Sequence, residues 1–494
     1  MESNNQPVRV RFAPSPTGHM HLGSARTALY DYLTAKRYGG QFILRIEDTD
    51  TKRYVPEAEQ ELIDGLKWLG IHYDEGPDIG GPYGPYRQSE RKEIYQKYAH
   101  QLVDSGKAYY CFCSPEKLAS VREDQLKNKK PIQYDGTCRN LPIEESKKRI
   151  ESGESFVVRF KSPQTGSTTV TDLLRGDITV ENSTFGDFIL LKSDGWAVYH
   201  LAAMVDDHLM KITHVIRGSE WLPTLPLHGL LCRAFGWNEP VWVHLSIFLK
   251  PSGKGKMSKR EAGAQIEDGH SFFIKDLQGL GYIPEGVVNW IALMGWSLDD
   301  KSEFFTLEQL EKDFSLTKLN PSPAAINFTK LDYFNGLHIR NLPDRDLAKR
   351  LVPFFGREGL DAPVDTLERI VPILKERLPT LDEAIPMTGF FFKNQISYPM
   401  EELIPKGLSA EDTKIILEKS LAEIDSDKRI NKEKTEPILR TFAEENGYSA
   451  GQVFGTLRVA ITGQKVSPPL FESMEIIGID VVKNRILDAI KLVN

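Results

Sequence analysis

The spacing of apolar residues changes character twice along the chain. In the first hundred residues short apolar runs alternate with helical spacing. Val8-Arg-Val10 is a brief β-branched run, Thr27–Leu33 reads as a helix, and Gln41–Ile46 reads as a buried strand behind Gly39-Gly40. Ala58, Leu62, Leu66 and Leu69 recur at helical spacing after Pro56, Gly70 stops that helix, and Arg87–Asp104 is a further helical stretch. Alternating strand and helix signals predict a doubly wound, mostly parallel sheet, whose ligands sit at the C-terminal ends of strands.

From about Tyr109 the pattern shifts. Helical pieces at Pro115–Lys130 and Ile143–Gly153 give way to short strands at Phe156–Lys161, Thr168–Leu173, Asp177–Glu181 and Phe188–Lys192. These predict an α+β insertion. Alternation resumes with Lys211–Arg217, a helix through Leu227–Phe235 and the strand-like Val241–Leu249. Past the corner at Asn320-Pro-Ser-Pro323 the spacing is helical, as at Asp344–Leu351, Thr366–Glu376, Ala410–Glu423 and Val481–Leu492. The predicted fold class is α/β: a Rossmann-type doubly wound domain with an α+β insertion, followed by an all-α C-terminal region. The predicted boundaries are 1–108, 109–210 for the insertion, 211–330 and 331–494.

Composition narrows this little. With 494 residues, 40% hydrophobic and 27% charged, the chain has the make-up of a soluble multidomain protein, with no apolar run long enough to cross a membrane. Met1–Gln6 has neither a basic nor an apolar leader segment, so secretion is not expected. Four cysteines argue against a disulfide framework and for a reducing cytoplasm. A net charge of −7 gives no global support for nucleic-acid binding, so any RNA contact must use local basic surface.

Candidate chemistry concentrates in two segments. Arg11-Phe-Ala-Pro-Ser-Pro-Thr-Gly-His-Met-His21-Leu-Gly23-Ser24 joins a strand to a helix start through a Gly- and Pro-rich turn. The N–H groups of a first helical turn and the helix dipole favour an anion there, and His21 adds a donor. The segment is neither the GxxxxGK[ST] phosphate loop nor the GxGxxG turn. Downstream, Lys250-Pro-Ser-Gly-Lys-Gly-Lys-Met-Ser-Lys-Arg260 carries five cations and no acid. Taken alone it reads as a solvated basic loop.

Together the two segments resemble the paired His-Ile-Gly-His and Lys-Met-Ser-Lys-Ser signatures of class I aminoacyl-tRNA synthetases. Arg45–Asp50, Asp74–Pro77, Tyr86–Arg91, Tyr199–Ala202 and Val205–Leu209 resemble the glutamyl branch, densely from residue 8 to about 330. Ser24, in place of the second His, is similar to that branch. The resemblance implies a glutamate–tRNA ligase that makes glutamyl-adenylate and pyrophosphate, then passes glutamate to the 3′-terminal adenosine of tRNA(Glu). It implies catalytic roles for His21, Lys256 and Lys259, and an ATP site of Pro14, Thr17, Gly18, His21, Gly23, Ser24, Met257, Ser258 and Lys259. Glutamate would be held by Arg11, Ala13, Ser15, Glu47, Tyr199 and Arg217, with the arginines gripping carboxylates and Glu47 taking the ammonium. Ala203 stands where several relatives have Asn, so no contact is carried over from that position.

Mg²⁺ is expected to bridge the ATP phosphates through water rather than in a protein cage. Cys111, Cys113 and Cys138 resemble the family's zinc site. Asn140 replaces the expected His, and an amide is a poor substitute for imidazole, so no protein-held metal is expected. The insertion would hold the acceptor end of the tRNA and the helical region the anticodon, with Arg377 at an anticodon-reading position. A cytoplasmic monomer is expected. Glutaminyl-tRNA synthetase is the first alternative, but it usually has Pro-Glu-Pro where this chain has Pro14-Ser-Pro16. A short homologue that glutamylates queuosine is the second, but it lacks a large C-terminal region. A catalytically silent tRNA-binding scaffold is the third, and the intact Arg11, His21, Lys256 and Lys259 speak against it.

Overall fold

The structure, a computed structural model, describes residues 7–50, 55–255, 270–426 and 430–493. The chain forms two compact units, Met1–Leu277 with Val288–Phe328, and Gln278–Val287 with Thr329–Asn494.

The first unit opens with β1 (Arg9–Phe12), α1 (Leu22–Arg37), β2 (Gln41–Leu44), α2 (Pro56–Trp68) and α3 (Lys92–Asp104). Pro56 at the first helical position and Glu57 and Glu59 in the first turn suit the start of α2, where a missing N–H costs nothing and acids meet the dipole. β3 (Ala108–Cys111), α4 (Pro115–Lys127), α5 (Ile143–Glu151), β4 (Val157–Phe160), β5 (Ser167–Asp172), β6 (Gly176–Glu181) and β7 (Ile189–Leu191) follow. Then come α6 (Tyr199–Leu209), β8 (His214–Gly218), α7 (Leu225–Phe235) and β9 (Val241–Leu245).

β1 pairs in parallel with β2, and β8 in parallel with β9. The Thr213 N–H donates to the Arg9 carbonyl at 2.9 Å, which brings the start of β8 beside β1. The chain runs outward from β1 to β2 on one side and from β8 to β9 on the other. This is the switch point at which open α/β sheets bind ligands.

One expectation needs correcting. The β5–β6 hairpin, read from sequence as part of the insertion's own sheet, joins the main sheet: Asp172 pairs in parallel with Trp242 of β9, while β6 is antiparallel to β5. β5 alternates exposed and buried residues, with Thr168, Val170 and Asp172 inward, so it has a face to give to a sheet. The insertion keeps a three-stranded antiparallel sheet of β3, β4 and β7. Val158, Phe160, Leu190 and Leu191 of that sheet share one core with Leu201, Leu231 and Trp242.

The second unit is helical in its described residues, with two cores. One is built from Asp344–Arg357 and Val364–Leu374, through Leu347, Leu351, Ile370 and Leu374. The other is built from five helices between Ala410 and Val493, around Leu417, Leu457 and Ile486. Gln278–Val287 is bound into this unit by local bonds. Ile283 N–H donates to Asn335 Oδ1 at 2.9 Å, Leu381 N–H to the Gly281 carbonyl at 2.8 Å, and Tyr282 Oη to Asp332 at 2.5 Å. Gly281 has φ +84°, and a Cβ there would lie 2.5 Å from the Asp382 nitrogen, so only glycine fits. Among the described residues no helix is long and apolar enough to cross a membrane.

Candidate active site

A cavity of about 770 Å³ opens where the C-terminal ends of β1 and β8 meet the start of α1. Arg11, Ala13, Pro14, Ser15, His21, Gly23, Ser24, Glu47, Tyr199 and Arg217 all line it. Sequence spacing could not have joined these residues, because parallel pairing and the crossover connections bring them together from positions 200 residues apart. Thr17 and Gly18 lie on the same turn but do not line the cavity. Lys256, Met257, Ser258 and Lys259 lie outside the described residues.

The helix start differs from the expected open cradle of N–H donors. Leu22 N–H donates to the Phe272 carbonyl at 2.9 Å, and Ser24 N–H donates to His21 Nδ1 at 3.2 Å. His21 is thus the N-cap of α1. With Nδ1 accepting, the neutral ring carries its proton on Nε2, which lies 3.1 Å from Ser24 Oγ. A phosphate here would meet an imidazole N–H and the dipole rather than a bare ring of amides. Gly23 makes this possible: a Cβ on it would stand 3.0 Å from Cε1 and 3.1 Å from Nδ1 of His21.

Beneath the cavity the charges form a buried web. Arg11, only 3% exposed, donates through Nε to Asp207 Oδ1 at 3.0 Å. Arg45 reaches the same oxygen at 2.6 Å and Glu47 Oε1 at 3.1 Å. Asp206 accepts from Arg91 at 2.7 Å and from Gln88 and Tyr95 at 2.9 Å. Burial pushes the Asp207 carboxyl up, but Arg11 and Arg45 more than offset this and hold it below the usual range. At Glu47 burial prevails over Arg45 and Arg11, and its carboxyl is raised. An added ammonium beside Glu47 would favour its charged form.

Arg217 is placed differently. It is 5% exposed and, among the described residues, pairs with no carboxylate: Nε donates to His244 Nε2 at 2.9 Å and Nη1 to Tyr199 Oη at 3.4 Å. Its Nη2 is buried without a partner. Burial lowers its pKa, the mark of a cation short of counter-charge. Tyr199 stacks on Trp221 at 4.1 Å, which fixes its ring. Sequence reading missed Trp221, Arg26, Glu220 and Phe248, which also line the cavity. Arg26 donates to the Met294 carbonyl at 2.8 Å and lies 4.0 Å over the Phe248 ring. The only early sign of these was position: Glu220 and Trp221 just after Arg217, Phe248 at the end of the predicted strand Val241–Leu249, and Arg26 two residues past Ser24.

Away from the cavity, the sulfur ligand atoms of Cys111, Cys113 and Cys138 lie within 4.8 Å of one another. Asn140 is exposed, and His100 is bonded to Tyr110 at 2.9 Å. The group that does reach the cluster is Tyr134, which sequence reading missed. Its hydroxyl lies 3.3 Å from Cys111 Sγ and 3.4 Å from Cys113 Sγ, and accepts from Cys138 N–H at 2.8 Å. Burial pushes the Cys111 thiol up, but Tyr134, the backbone and Arg159 bring it below its ordinary value. In the second unit, exposed Arg377 donates to the Ser467 carbonyl at 3.5 Å, as Arg458 does at 3.3 Å, so two guanidiniums share one acceptor.

Residues 7–333 match the family described as tRNA synthetases class I (E and Q), catalytic domain, and residues 346–490 match an anticodon binding domain. The chain is 45% identical over 492 residues to a glutamate–tRNA ligase of Borreliella afzelii, covering 98% of each. It is 44% identical to one of Dehalococcoides mccartyi, covering 95% of this chain and 94% of the other. A crystal structure of a glutamate tRNA ligase from Elizabethkingia meningosepticum in complex with its amino acid superposes with a TM-score of 0.90 at 37% identity, covering 99% of this chain and 100% of that one.

Proposed function

The chain belongs to the glutamate–tRNA ligases, class I aminoacyl-tRNA synthetases driven by ATP, and from that premise we propose how its own residues do the work. The α-carboxylate of glutamate attacks the α-phosphate of ATP, pyrophosphate leaves, and the glutamyl group then passes to the terminal adenosine of tRNA(Glu). Arg11 and Arg217 hold the two carboxylates and Glu47 takes the ammonium. Ala13 and Ser15 shape the turn, and Tyr199 supplies a hydroxyl. His21 donates through Nε2 to the phosphates, with Pro14, Thr17, Gly18, Gly23 and Ser24 around it. Met257 and Ser258 belong to the same ATP site, and Lys259, supported by Lys256, stabilises the leaving pyrophosphate. Stabilising charge on a spreading phosphoryl group is the main catalytic task. Mg²⁺ arrives with the ATP.

One observation carries this reading: two buried arginines and a glutamate whose carboxyl pKa is raised face a single cavity at a capped helix start. The proposal includes the division into 1–108, 109–210, 211–330 and 331–494, with the insertion on the acceptor end and Arg377 on the anticodon, and a cytoplasmic monomer. For the cysteine cluster, Tyr134 removes the reason for expecting no metal, which rested on Asn140. Three thiols and a phenol fit zinc, which would serve structurally by joining β3 to the 134–138 segment. The test of function is aminoacylation with radiolabelled glutamate and glutamine against total tRNA. Glutamate alone is expected to be charged. Charging of glutamine alone overturns the assignment, and tRNA binding with no charging favours the scaffold.

A further inference from the structure

Two residues with no assigned role stand behind Arg217. Asp172 ends β5, His244 lies in β9 and Arg217 in β8, and these strands are neighbours in the order β5-β9-β8. Asp172 Oδ2 accepts from His244 Nδ1 at 2.8 Å and from the His244 backbone N–H at 3.0 Å. Its Oδ1 accepts from the Leu174 and Arg175 N–H groups at 3.0 Å each. Four donors make Asp172 a fully occupied carboxylate. His244 Nδ1 must therefore carry the proton, leaving Nε2 as the lone-pair acceptor for Arg217 Nε–H. Both side chains are 0% exposed.

We propose that Asp172 and His244 are positioning residues that set the choice of a carboxylate substrate, with His244 as a neutral spacer that aims Arg217 without neutralising it. This rests on the reading of Arg217 as a glutamate-binding residue. A carboxylate in direct contact with Arg217 would aim it equally well, but would also cancel its charge. The pocket would then favour a carboxamide as much as a carboxylate. With the imidazole interposed, the negative charge sits one ring away, and Nη2 keeps its donors for the ligand. Arg11, by contrast, is paired directly with Asp207. The two arginines thus divide the work: Arg11 is compensated, and Arg217 waits for an anion. The difference between a carboxylate and its amide is largest at a buried cation lacking a counter-charge.

The test compares His244→Leu with His244→Gln in the full chain. Leu keeps the bulk and removes the acceptor. Gln can accept from Arg217 through its oxygen and donate to Asp172 through its amide. His244→Leu is expected to raise KM for glutamate roughly ten- to hundredfold, the effect of stranding a buried donor. KM for ATP should change little, and the preference for glutamate over glutamine should fall. His244→Gln should restore most of both. A His244→Leu enzyme with wild-type KM for glutamate and wild-type selectivity overturns the inference. Should the Leu variant not fold, ¹⁵N-histidine NMR of the wild-type chain decides instead. A buried Nδ1–H tautomer whose signals vanish in His244→Gln supports the spacer, and an Nε2–H tautomer at that site overturns it. If wild-type enzyme charges no glutamate, the functional reading fails first; if it does and the Leu variant matches it, only the spacer fails.

Discussion

At the scale of single residues, the start of α1 depends on an atom that is absent. His21 folds back over Gly23 because no Cβ stands there, and the ring both caps the helix and faces the cavity. Gly23→Ala is compatible with the helical backbone, where Ala is favoured over Gly by up to about 1 kcal/mol. The new methyl, though, displaces an imidazole it meets at 3.0 Å. The expected outcome is an unchanged or slightly higher melting temperature with adenylate formation reduced roughly tenfold or more, because small misplacements of a catalytic group are costly. Parallel thermal melts and pyrophosphate-exchange rates check this; loss of both together would mean that Gly23 serves the fold. Arg11, His21 and Gly23 were legible because they sit in one short contiguous pattern, and Glu47 because it sits in another, Arg45–Asp50. Trp221 and His244 were not, since their relevance comes from strand order, which no local spacing encodes.

At the scale of elements, most boundaries were readable and pairings were not. The strands Val157–Phe160, Ser167–Asp172 and Gly176–Glu181 lie where the alternation put them, but periodicity says which face is buried, not which neighbour buries it. That is why the β5–β6 hairpin went to the wrong sheet. Tyr134 is a similar case. It stands four residues before Cys138, in a stretch without regular structure, and only the fold of that stretch turns its hydroxyl onto two thiols. Burial and the neighbouring thiols push Cys113 up to about 11, a repulsion that a bound cation would relieve. Metal analysis of purified, chelator-washed protein is expected to give one zinc per chain, lost in Tyr134→Phe/Cys138→Ser. Metal-free protein with an unchanged melting temperature would leave the cluster as three hydrogen-bonded thiols.

For the molecule as a whole, acid should act through histidines held neutral. Burial, helped by Arg217, pushes His200 down to about 4, and burial likewise lowers His228 and His244. In the second unit burial takes His338 to about 4. An unfolded chain takes up these protons near pH 6.5, whereas the native one refuses them until well below. The unfolded state therefore binds more protons across that interval, and stability falls as pH drops from about 6.5 toward 4. Each such histidine contributes at most about 1.4 kcal/mol per pH unit. Melting temperature measured from pH 7.5 to 4.5 should be level above pH 6.5 and decline below it; a level curve throughout would mean the imidazoles are reached by water.

The excursion of Gln278–Val287 out of the first unit carries a consequence in time. Gly281 takes its bond from Leu381, about a hundred residues further along, and Glu285 pairs with Arg350 at 2.8 Å. A ribosome adding about 5–20 residues per second leaves that segment without its partners for about 5–20 s. Synthesis thus delivers the segment well ahead of the helices that will hold it. The order of manufacture and the order of assembly differ here, and the second unit can close only after the nascent chain has passed Leu381.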